Sequence, residues 1–289
     1  MIFLLTLLDK VAGPYWNMLK RQLAEKGIAP LTIIHSPNIF GHPIGIVVLL
    51  CLGMFVIPHD LMFFVYWFLM IAISAVVSIF GILGLLQTKF FTTQVIGSLG
   101  FISSSICAAV FLNEPVTHKT IISLALALVG VALFSWKKES KIFSMDRGTV
   151  FIILAVILSG FSTVLFKEST FHTSSYQEFL TGRFIGDLIA WTAVWLISLA
   201  VLKRNPVKDL SNLVSQGAGK IYIIGMIVIT MLDCFLIYNM TVTSLAILGT
   251  ISFPVAYIIS YFKYHERITA YMWLGTLFIV SSIIVYLSL

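Results

Sequence analysis

Long apolar runs follow one another along almost the whole of this 289-residue chain. Each run is about 20 residues long, which is the length that an α-helix needs to cross the hydrocarbon core of a bilayer. Hydrophobic residues make up 59% of the sequence and charged residues 10%, whereas soluble domains are about 45–50% apolar and about 25% charged. A water-soluble fold of this size cannot bury so much apolar surface. We therefore predict an all-α integral membrane protein, and we exclude soluble enzymes and disordered chains.

Polar clusters divide the apolar runs into ten predicted transmembrane spans. The first span is the weakest, because Asp9, Lys10 and Asn17 interrupt it. The unbroken runs do not fit a β-barrel, whose strands alternate in polarity. The net charge of +6 comes mainly from residues between the spans, so it indicates a lipid bilayer as a partner and gives no reason to predict nucleic acid. The predicted spans are residues 2–20, 29–57, 61–86, 92–112, 118–136, 148–167, 176–202, 220–240, 243–262 and 269–288.

The second half of the sequence repeats the first. Leu112–Thr117 follows the fourth span and Tyr264–Thr269 follows the ninth, and both segments read x-x-Glu-x-(Val or Ile)-Thr at an offset of 152 residues. The same offset pairs Gly97 with Gly249. Five spans in each half would insert the two halves into the membrane in opposite directions, which is the architecture of many secondary transporters. The predicted inverted five-helix units are residues 1–142 and 143–289.

Lysine and arginine positions predict the orientation. Fourteen of the 18 such residues lie in the loops that follow odd-numbered spans. Because short cytoplasmic loops carry an excess of these residues, we predict that the basic loops face the cytoplasm and that both termini lie outside. The predicted location is a bacterial plasma (inner) membrane.

Short motifs in both halves carry a resemblance to a known family. They are Phe111–Thr117, Leu128–Leu133, Ile251–Pro254 and His265–Thr269, together with Trp16 and Arg183. With these motifs the chain resembles the drug/metabolite transporter superfamily, in its EamA-type ten-helix branch, over nearly its whole length. The resemblance implies efflux or exchange of an amino acid or another metabolite, with nucleotide-sugar transport as a eukaryotic variant. Many relatives keep their termini in the cytoplasm, which is the reverse of the orientation that the charges predict here.

Arg183 and Asp187 are the first candidates for a substrate site, because ionisable residues inside spans are costly and usually face a cavity or a partner. They lie four residues apart in the seventh span and so share a helix face. We expect Arg183 to bind a carboxylate or phosphate of the substrate, with Asp187 tuning the arginine. The alternative is that the two side chains neutralise each other. A substrate anion could also compete with Asp187 for Arg183.

Asp233 lies in the middle of the eighth span and has no basic neighbour on its own helix. It needs an ionic partner, a hydrogen bond or a proton. We expect it to carry a coupling proton or to bind a substrate ammonium group, the alternative being a protonated structural residue. Asp9 and Lys10 are consecutive in sequence and do not share a helix face, so we do not expect them to pair with each other. Asp9 could reach another helix, the alternative being a frayed start to the first span near the interface.

The second span contains three helix-breaking residues, Pro37, Gly41 and Pro43. They break the regular hydrogen bonding of a helix and could bend the segment, and discontinuous helices in a membrane typically line a water-filled cavity. His35 and His42 are about two turns apart and share a face, where they could titrate near neutral pH. The alternative is a kinked packing helix with interfacial histidines.

Glu114 and Glu266 repeat in the two halves, but we expect a structural role for both. Each precedes a threonine, Thr117 or Thr269, that is predicted to cap the next helix. An acidic residue suits the positive end of a helix.

The predicted function is secondary active transport of a small polar metabolite around a midplane cavity between the two halves. The alternatives are a nucleotide-sugar or lipid-linked sugar translocator, or a non-transporting intramembrane enzyme or assembly subunit. No nucleotide-binding or catalytic motif is found in the sequence, so we predict no catalytic residue, metal or cofactor. The expected partners are the small-molecule substrate and a coupling proton or exchanged solute, and the sequence indicates no oligomeric state. The predicted substrate-binding residues are Arg183, Asp187, Asp233, His42, Asn38, Trp16, Tyr15 and Tyr238.

Overall fold

The computed structural model describes residues 2–87, 93, 96–97, 99–135, 147–201, 203, 205–264 and 270–288. No strand occurs within these ranges, and helices dominate them. The helices are α1 (Ile2–Glu25), α2 (Pro30–Cys51), α3 (Leu61–Gln87), α4 (Gly100–Phe111), α5 (His118–Ser135), α6 (Arg147–Phe171), α7 (Tyr176–Val201), α8 (Pro206–Ser215), α9 (Gly217–Asn239), α10 (Val242–Gly249), α11 (Ser252–Tyr264) and α12 (Ala270–Leu287).

Six helical segments are long and apolar enough to cross a membrane. This finding confirms the prediction of an all-helical protein in which several helices are long and apolar enough to span a membrane. The helix that covers the first predicted span is longer than predicted and is not among these six. Shorter apolar helices cover parts of the fourth, fifth and tenth predicted spans. The six segments are Pro30–Cys51, Leu61–Gln87, Arg147–Phe171, Tyr176–Ile197, Gly217–Asn239 and Val242–Ile259.

The second predicted span forms one continuous helix from Pro30 to Cys51, so Pro37, Gly41 and Pro43 do not interrupt it. Pro37 lies inside α2 and removes the hydrogen bond that the carbonyl of Ile33 would otherwise accept. The hydroxyl of Ser36 donates to this same carbonyl at 2.9 Å. A neighbouring side chain therefore satisfies the group that the proline leaves free, and the helix continues.

The ninth predicted span is instead divided in two, between α10 and α11. The amide of Ile251 donates to the carbonyl of Leu248 at 3.3 Å, a tighter turn than that of an α-helix. Pro254 follows in the first turn of α11, where its missing N–H has no cost. The first half contains the matching hydrogen bond, which the amide of Leu99 donates to the carbonyl of Ile96 at 3.0 Å. The two tight turns lie 152 residues apart, the offset of the sequence repeat.

The contacting helix pairs follow a regular pattern. The main pairs are α3 with α6, α5 with α12, α2 with α7, α4 with α6, and α1 with α9, and each pair joins a helix before residue 142 to a helix after it. Each span of the first half corresponds to the span five places later, so α3 corresponds to α9 and α1 corresponds to α6. Exchanging the corresponding spans therefore turns the α3–α6 contact into the α1–α9 contact, which is present. The same exchange converts the α3–α7 contact into the α2–α9 contact, which is also present. The two predicted halves are therefore interleaved and do not form separate lobes.

Several turns meet at one end of the helical bundle. Glu114, after α4, bonds to the start of α10, and Asp60, before α3, bonds to His172 at the end of α6. The hydroxyl of Thr6 contacts the sulfur of Met240. Tyr286 lies 2.7 Å from the Ser244 hydroxyl. The first turns of α1 and the last turns of α12 therefore lie at this same end.

The short helix α8 was not predicted. It is strongly amphipathic, and it places Leu213 in a buried cluster with Leu23 of α1 and Tyr222 of α9. Lys203 precedes α8 and Lys208 lies on it. These contacts place α8 at the end of the bundle opposite to the turns described above, where the sequence also concentrates its basic residues.

Close helix packing at Gly160 leads to a first prediction. A Cβ atom built on Gly160 of α6 would lie 2.8 Å from the backbone carbonyl carbon and oxygen of Ser103 in α4. Gly160→Ala is expected to destabilise the protein by about 1–3 kcal/mol through overpacking, measured as a lower melting temperature in detergent. Gly81→Ala in α3 is the matched control, because a Cβ there meets no described atom within 4 Å. A melting temperature for Gly160→Ala equal to that of the control would contradict this packing.

Candidate functional site

A cavity opens in the centre of the bundle, in three adjoining parts of about 390, 290 and 280 Å³. Ser252, the first residue of α11, lines all three parts. Gly97 and Gly249, which the repeat pairs, both line the largest part. The two tight turns described above therefore lie beside one cavity, to which both predicted halves contribute.

An ionic cluster lies in the cavity wall. The ammonium group of Lys10 is 2.5 Å from the carboxylate of Asp9 and 3.9 Å from that of Asp233. Asp9 is 5% exposed, whereas the side chain of Asp233 is 38% exposed and faces the cavity. Asp233 thus has its basic partner on another helix, and it is the more accessible carboxylate.

The expectation that Asp9 and Lys10 do not pair with each other is wrong. Both residues line the cavity from the interior of α1. The long lysine side chain folds back to the neighbouring carboxylate, because burial makes an unpaired charge costly and the flexible stem of lysine can reach it. Lys20 lines the same cavity part, about 15 Å farther along α1 toward the basic end.

A second polar cluster lies between α2, α3 and α7, around Asp187. The indole N–H of Trp67 donates to Asp187 Oδ1 at 3.0 Å. Arg183 Nε donates to Asp187 Oδ2 at 3.2 Å, and His42 Nε2 lies 3.2 Å from the same oxygen. This confirms that Arg183 and Asp187 share a helix face. The structure therefore brings Arg183, Asp187 and His42 together.

The aromatic rings around Arg183 separate it from the cavity. Its guanidinium carbon lies 4.7 Å from the ring centre of Phe166 and 5.5 Å from that of Trp67. Phe166 lines the largest cavity part. Arg183 therefore lies directly behind the cavity wall, while Asp233 lies in the wall itself.

A row of buried polar contacts continues along the α2–α7 interface. His35 Nε2 lies 3.3 Å from the Thr192 hydroxyl, and the indole N–H of Trp195 donates to Thr32 at 3.0 Å. Asn38 is also buried, on the same helix. His35 and His42 share the face of α2 that packs on α7, as their spacing predicts.

The predicted aromatic residues lie in different places. Trp16 lines the cavity part around Asp9 and Lys10, and the ring of Tyr15 contacts it edge-on at 5.2 Å. Tyr238 packs against Phe179 at 5.8 Å, in an aromatic cluster near the α9–α10 turn. Of the eight predicted residues, only Asp233 and Trp16 are among those that line the described cavity parts.

Two residues that were not predicted to act together hold the α9–α10 turn. Lys167 donates to the carbonyl of Ile237 at 2.8 Å, near the end of α9. Glu114 accepts from the amides of Val242 and Thr243 at 2.7 and 3.0 Å, at the start of α10. A cation thus meets the negative end of one helix, and an anion meets the positive end of the next.

Glu114 lies at the positive end of a helix, as expected, but this helix is α10, which belongs to the other predicted half. The amide of Thr120 donates to the Thr117 hydroxyl at 3.3 Å, so Thr117 caps α5 as predicted. Glu266 and Thr269 lie outside the described residues. The same holds for several basic residues that were used to predict the orientation, namely Lys89, Arg267 and, in the loop before Arg147, Lys137, Lys138 and Lys141.

A hydrogen-bonded pair, Asp60 and His172, joins two turns at the end of the bundle away from α8. His172 Nδ1 lies 2.7 Å from Asp60 Oδ2, and the His172 ring stacks on Tyr66. The hydrogen bonds from His172 and from the amide of Met62 hold the pKa of Asp60 below its ordinary value. Buried Glu178 accepts from the amides of His59 and Ser174, which fixes the same two turns.

The Asp60–His172 pair leads to a prediction of pH dependence. Because the pKa of Asp60 is lower in the folded protein than in the unfolded chain, its ionised form stabilises the fold above the unfolded pKa of about 4. This contribution is lost as the pH falls through the folded pKa. Asp60→Asn is therefore expected to flatten the decline of melting temperature between about pH 5 and pH 3. A decline as steep as in the wild type would show that the pair does not contribute.

No group of three or more His, Cys, Asp or Glu residues with metal-binding geometry occurs within the described part of the chain. The cavity offers ionic groups of both signs, since Lys10 lies between the carboxylates of Asp9 and Asp233 and Lys20 lines the same part.

No family model and no curated protein matches this sequence. Among solved structures, 28 chains match. One of them, described as "Crystal structure of protein", superposes with a TM-score of 0.67 at 12% sequence identity, over 99% of this chain and 96% of that chain. At this identity the similarity shows a shared fold alone, over the full length of both chains.

Proposed function

We propose that this protein is a secondary active transporter that moves a small polar metabolite across the membrane. Ten transmembrane spans form two inverted five-helix halves, which alternate in opening a shared cavity to either side. The observation that carries the proposal is the central cavity, whose wall holds the Asp9–Lys10–Asp233 cluster. Charged groups at membrane depth mark substrate and ion pathways.

Three features of the fold support the inverted halves. The contacting helix pairs exchange with one another when the predicted halves are exchanged. The tight turns at Leu99 and Ile251 lie at the repeat offset. Gly97 and Gly249 both line the cavity. Cavities at repeat interfaces, bordered by interrupted helices, are typical of secondary transporters.

Asp233 is the proposed contact for the substrate or for a coupling proton. Lys10 lies closer to Asp9 than to Asp233, which leaves Asp233 the less neutralised of the two carboxylates. An ammonium group on the substrate, or a proton, would supply the missing positive charge. Arg183 is held by Asp187 behind Phe166, so we assign it to the protein's own charge network and not to direct contact with a substrate anion.

The proposed orientation places the basic loops in the cytoplasm and both termini outside. It is supported by the contacts of Thr6 with Met240 and of Ser244 with Tyr286, which lie at the end of the bundle away from α8. A side-specific reporter at the C-terminus tests this assignment, and a cytoplasmic reporter signal would reverse it.

The transport function is tested with the purified protein. Compounds that raise its melting temperature identify ligands, because binding to the folded state stabilises it. The same compounds are then tested for counterflow in proteoliposomes loaded with unlabelled compound. Accumulation of labelled compound above the level of protein-free liposomes is the expected result. Stabilising ligands that are never exchanged would favour a non-transporting membrane protein.

A further inference from the structure

Lys167 and Glu114 hold the α9–α10 turn at the point where this turn borders the cavity. Lys167 is 9% exposed, and its ammonium group donates to the carbonyl of Ile237 at 2.8 Å and to that of Tyr238 at 3.4 Å. Glu114 accepts from the amide of Val242 on the other side of the turn. Ile237 and Val242 both line the largest cavity part. The two charged side chains therefore fix the cavity wall at this end of the bundle, which we name the Glu114 end.

The sequence repeat gives Lys167 a counterpart in the first predicted half. Lys20 of α1 lies 147 residues before Lys167 of α6, and the bounds of these two helices match at the same offset to within two residues. The ends of α3 and α9 lie 152 residues apart, and this offset pairs Leu85 of α3 with Ile237. Helices α1 and α3 are in contact, as are α6 and α9. Lys20 and the last turn of α3 are therefore the repeat-related equivalents of Lys167 and the last turn of α9.

These equivalent groups are not bonded to each other in this structure. Lys20 lines one cavity part, and its ammonium group makes no hydrogen bond or ion pair with any other described residue. Leu85 lines a neighbouring part, and the two parts share Asn17 and Ser252. Both members of this second pair thus border the cavity at the end of the bundle where α8 lies, which we name the α8 end. The lysine is bonded at one end of the bundle and unbonded at the other.

We propose that Lys167 and Lys20 are alternating gate residues, of which Lys167 is engaged in this structure. When Lys167 releases the end of α9, the α9–α10 turn moves away and the cavity opens at the Glu114 end. Lys20 then donates to the carbonyls in the last turn of α3 and closes the cavity at the α8 end. This proposal rests on the proposed transport function, because alternating access requires that one end closes while the other opens.

The chemistry of a lysine at a helix end suits such a gate. The last carbonyls of a helix have no partner within the helix and carry partial negative charge, so an ammonium group stabilises them. A hydrogen bond from a charged donor is strong when made, and a lysine released into the cavity regains water at the end of its flexible stem. An unpaired lysine at membrane depth is nevertheless costly. Pairing of Lys20 with α3 in the second state offsets this cost.

Spin labels on the helix ends measure both gates in one protein. The first pair, Ser174→Cys with Asn239→Cys, joins the end of α6 to the end of α9. The second pair, Lys26→Cys with Gln87→Cys, joins the end of α1 to the end of α3. All four residues are exposed. Double electron–electron resonance gives the distance distribution of each pair in nanodiscs without added solute. The native cysteines are removed with Cys51→Ser, Cys107→Ala and Cys234→Ala.

Lys167→Met is the decisive variant, because it keeps an apolar stem and removes the donor. With Lys167 intact, both distances should be mainly those of this structure. Lys167→Met should lengthen the first distance and shorten the second. The ratio of the two populations should change by at least about tenfold, the effect of losing one hydrogen bond to a charged group. Adding Lys20→Met should leave the first distance long and prevent the shortening of the second.

Lys119→Met is the matched control. Lys119 lies in the first turn of α5 at the Glu114 end, where it holds no helix end within the described residues, so both distributions should stay unchanged. Unmoved distances in Lys167→Met overturn the proposal. A longer first distance with an unmoved second distance overturns the alternation, as does a shortening that survives Lys20→Met. Should Lys167→Met fail to fold, Glu114→Gln weakens the other side of the same turn, and unmoved distances in that variant overturn the proposal.

These distances need no transport. Reciprocal shifts in a protein that exchanges no solute count against the transport function alone. Solute exchange by a protein in which Lys167→Met moves neither distance counts against the gate alone.

Discussion

Asp233→Asn is expected to abolish solute exchange in proteoliposomes, lowering the initial rate about 100-fold, which corresponds to about 3 kcal/mol of lost ionic interaction. Asparagine keeps the shape of the side chain and removes its charge. Since Lys10 remains 2.5 Å from Asp9, the substitution should leave the ionic cluster folded. Initial rates of counterflow, measured with a compound that stabilises the wild type, provide the measurement.

Glu25→Gln is the matched control for Asp233→Asn. Glu25 lies at the end of α1 and pairs with Arg21 at 2.8 Å, with its side chain 51% exposed. Such surface pairs contribute little, so the exchange rate should stay within about twofold of the wild type. A rate for Asp233→Asn within that same range would remove Asp233 from the substrate site.

Asp187→Asn is expected to give the largest loss of stability, about 3–5 kcal/mol, because it leaves Arg183 buried without its counter-ion. The Arg183 side chain is 14% exposed and the Asp187 side chain 4%, so water can replace little of the lost interaction. The measurement is thermal unfolding in detergent, with tryptophan fluorescence and size-exclusion chromatography to follow folding.

The double variant Arg183→Gln/Asp187→Asn separates charge from packing. Removing both charges leaves no unpaired ion, so the double variant should be more stable than the sum of the two single losses predicts, by about 2 kcal/mol. Additive losses would show that the two charges do not stabilise each other.

The class of fold could be predicted from sequence because hydrophobic length is set by bilayer thickness and is visible in each run of residues. The exact helix breaks could not. Pro37 predicts a break in α2, but the Ser36 hydroxyl satisfies the carbonyl that the proline leaves free. The break occurs at Thr250–Ile251 instead, where Gly249 and Pro254 both disfavour a continuous helix. Helix α8 was missed because it is short and its apolar face is matched by an equally polar one.

The candidate site was predicted in part. Spacing along one helix gives the Arg183–Asp187 and His35–His42 faces, because the helical period is fixed. Contacts between helices depend on tertiary packing, which the sequence does not state. The meeting of His42 with Asp187 and of Lys10 with Asp233 is of this kind. The Asp9–Lys10 pair shows the opposite error. Neighbouring positions were not expected to pair, but the flexible lysine side chain folds back to the carboxylate of Asp9.

The capped turn between α9 and α10 has a mechanical consequence. Lys167 and Glu114 hold its two sides from α6 and from the loop after α4, so one end of α10 is anchored by groups on both sides of the predicted boundary. The other end of α10 is joined to α11 through the tight turn at Thr250–Ile251, beside the cavity. Because the Val242 end of α10 is held in place, a small rotation of this helix about Val242 would displace Gly249 and Ser252 in the cavity wall.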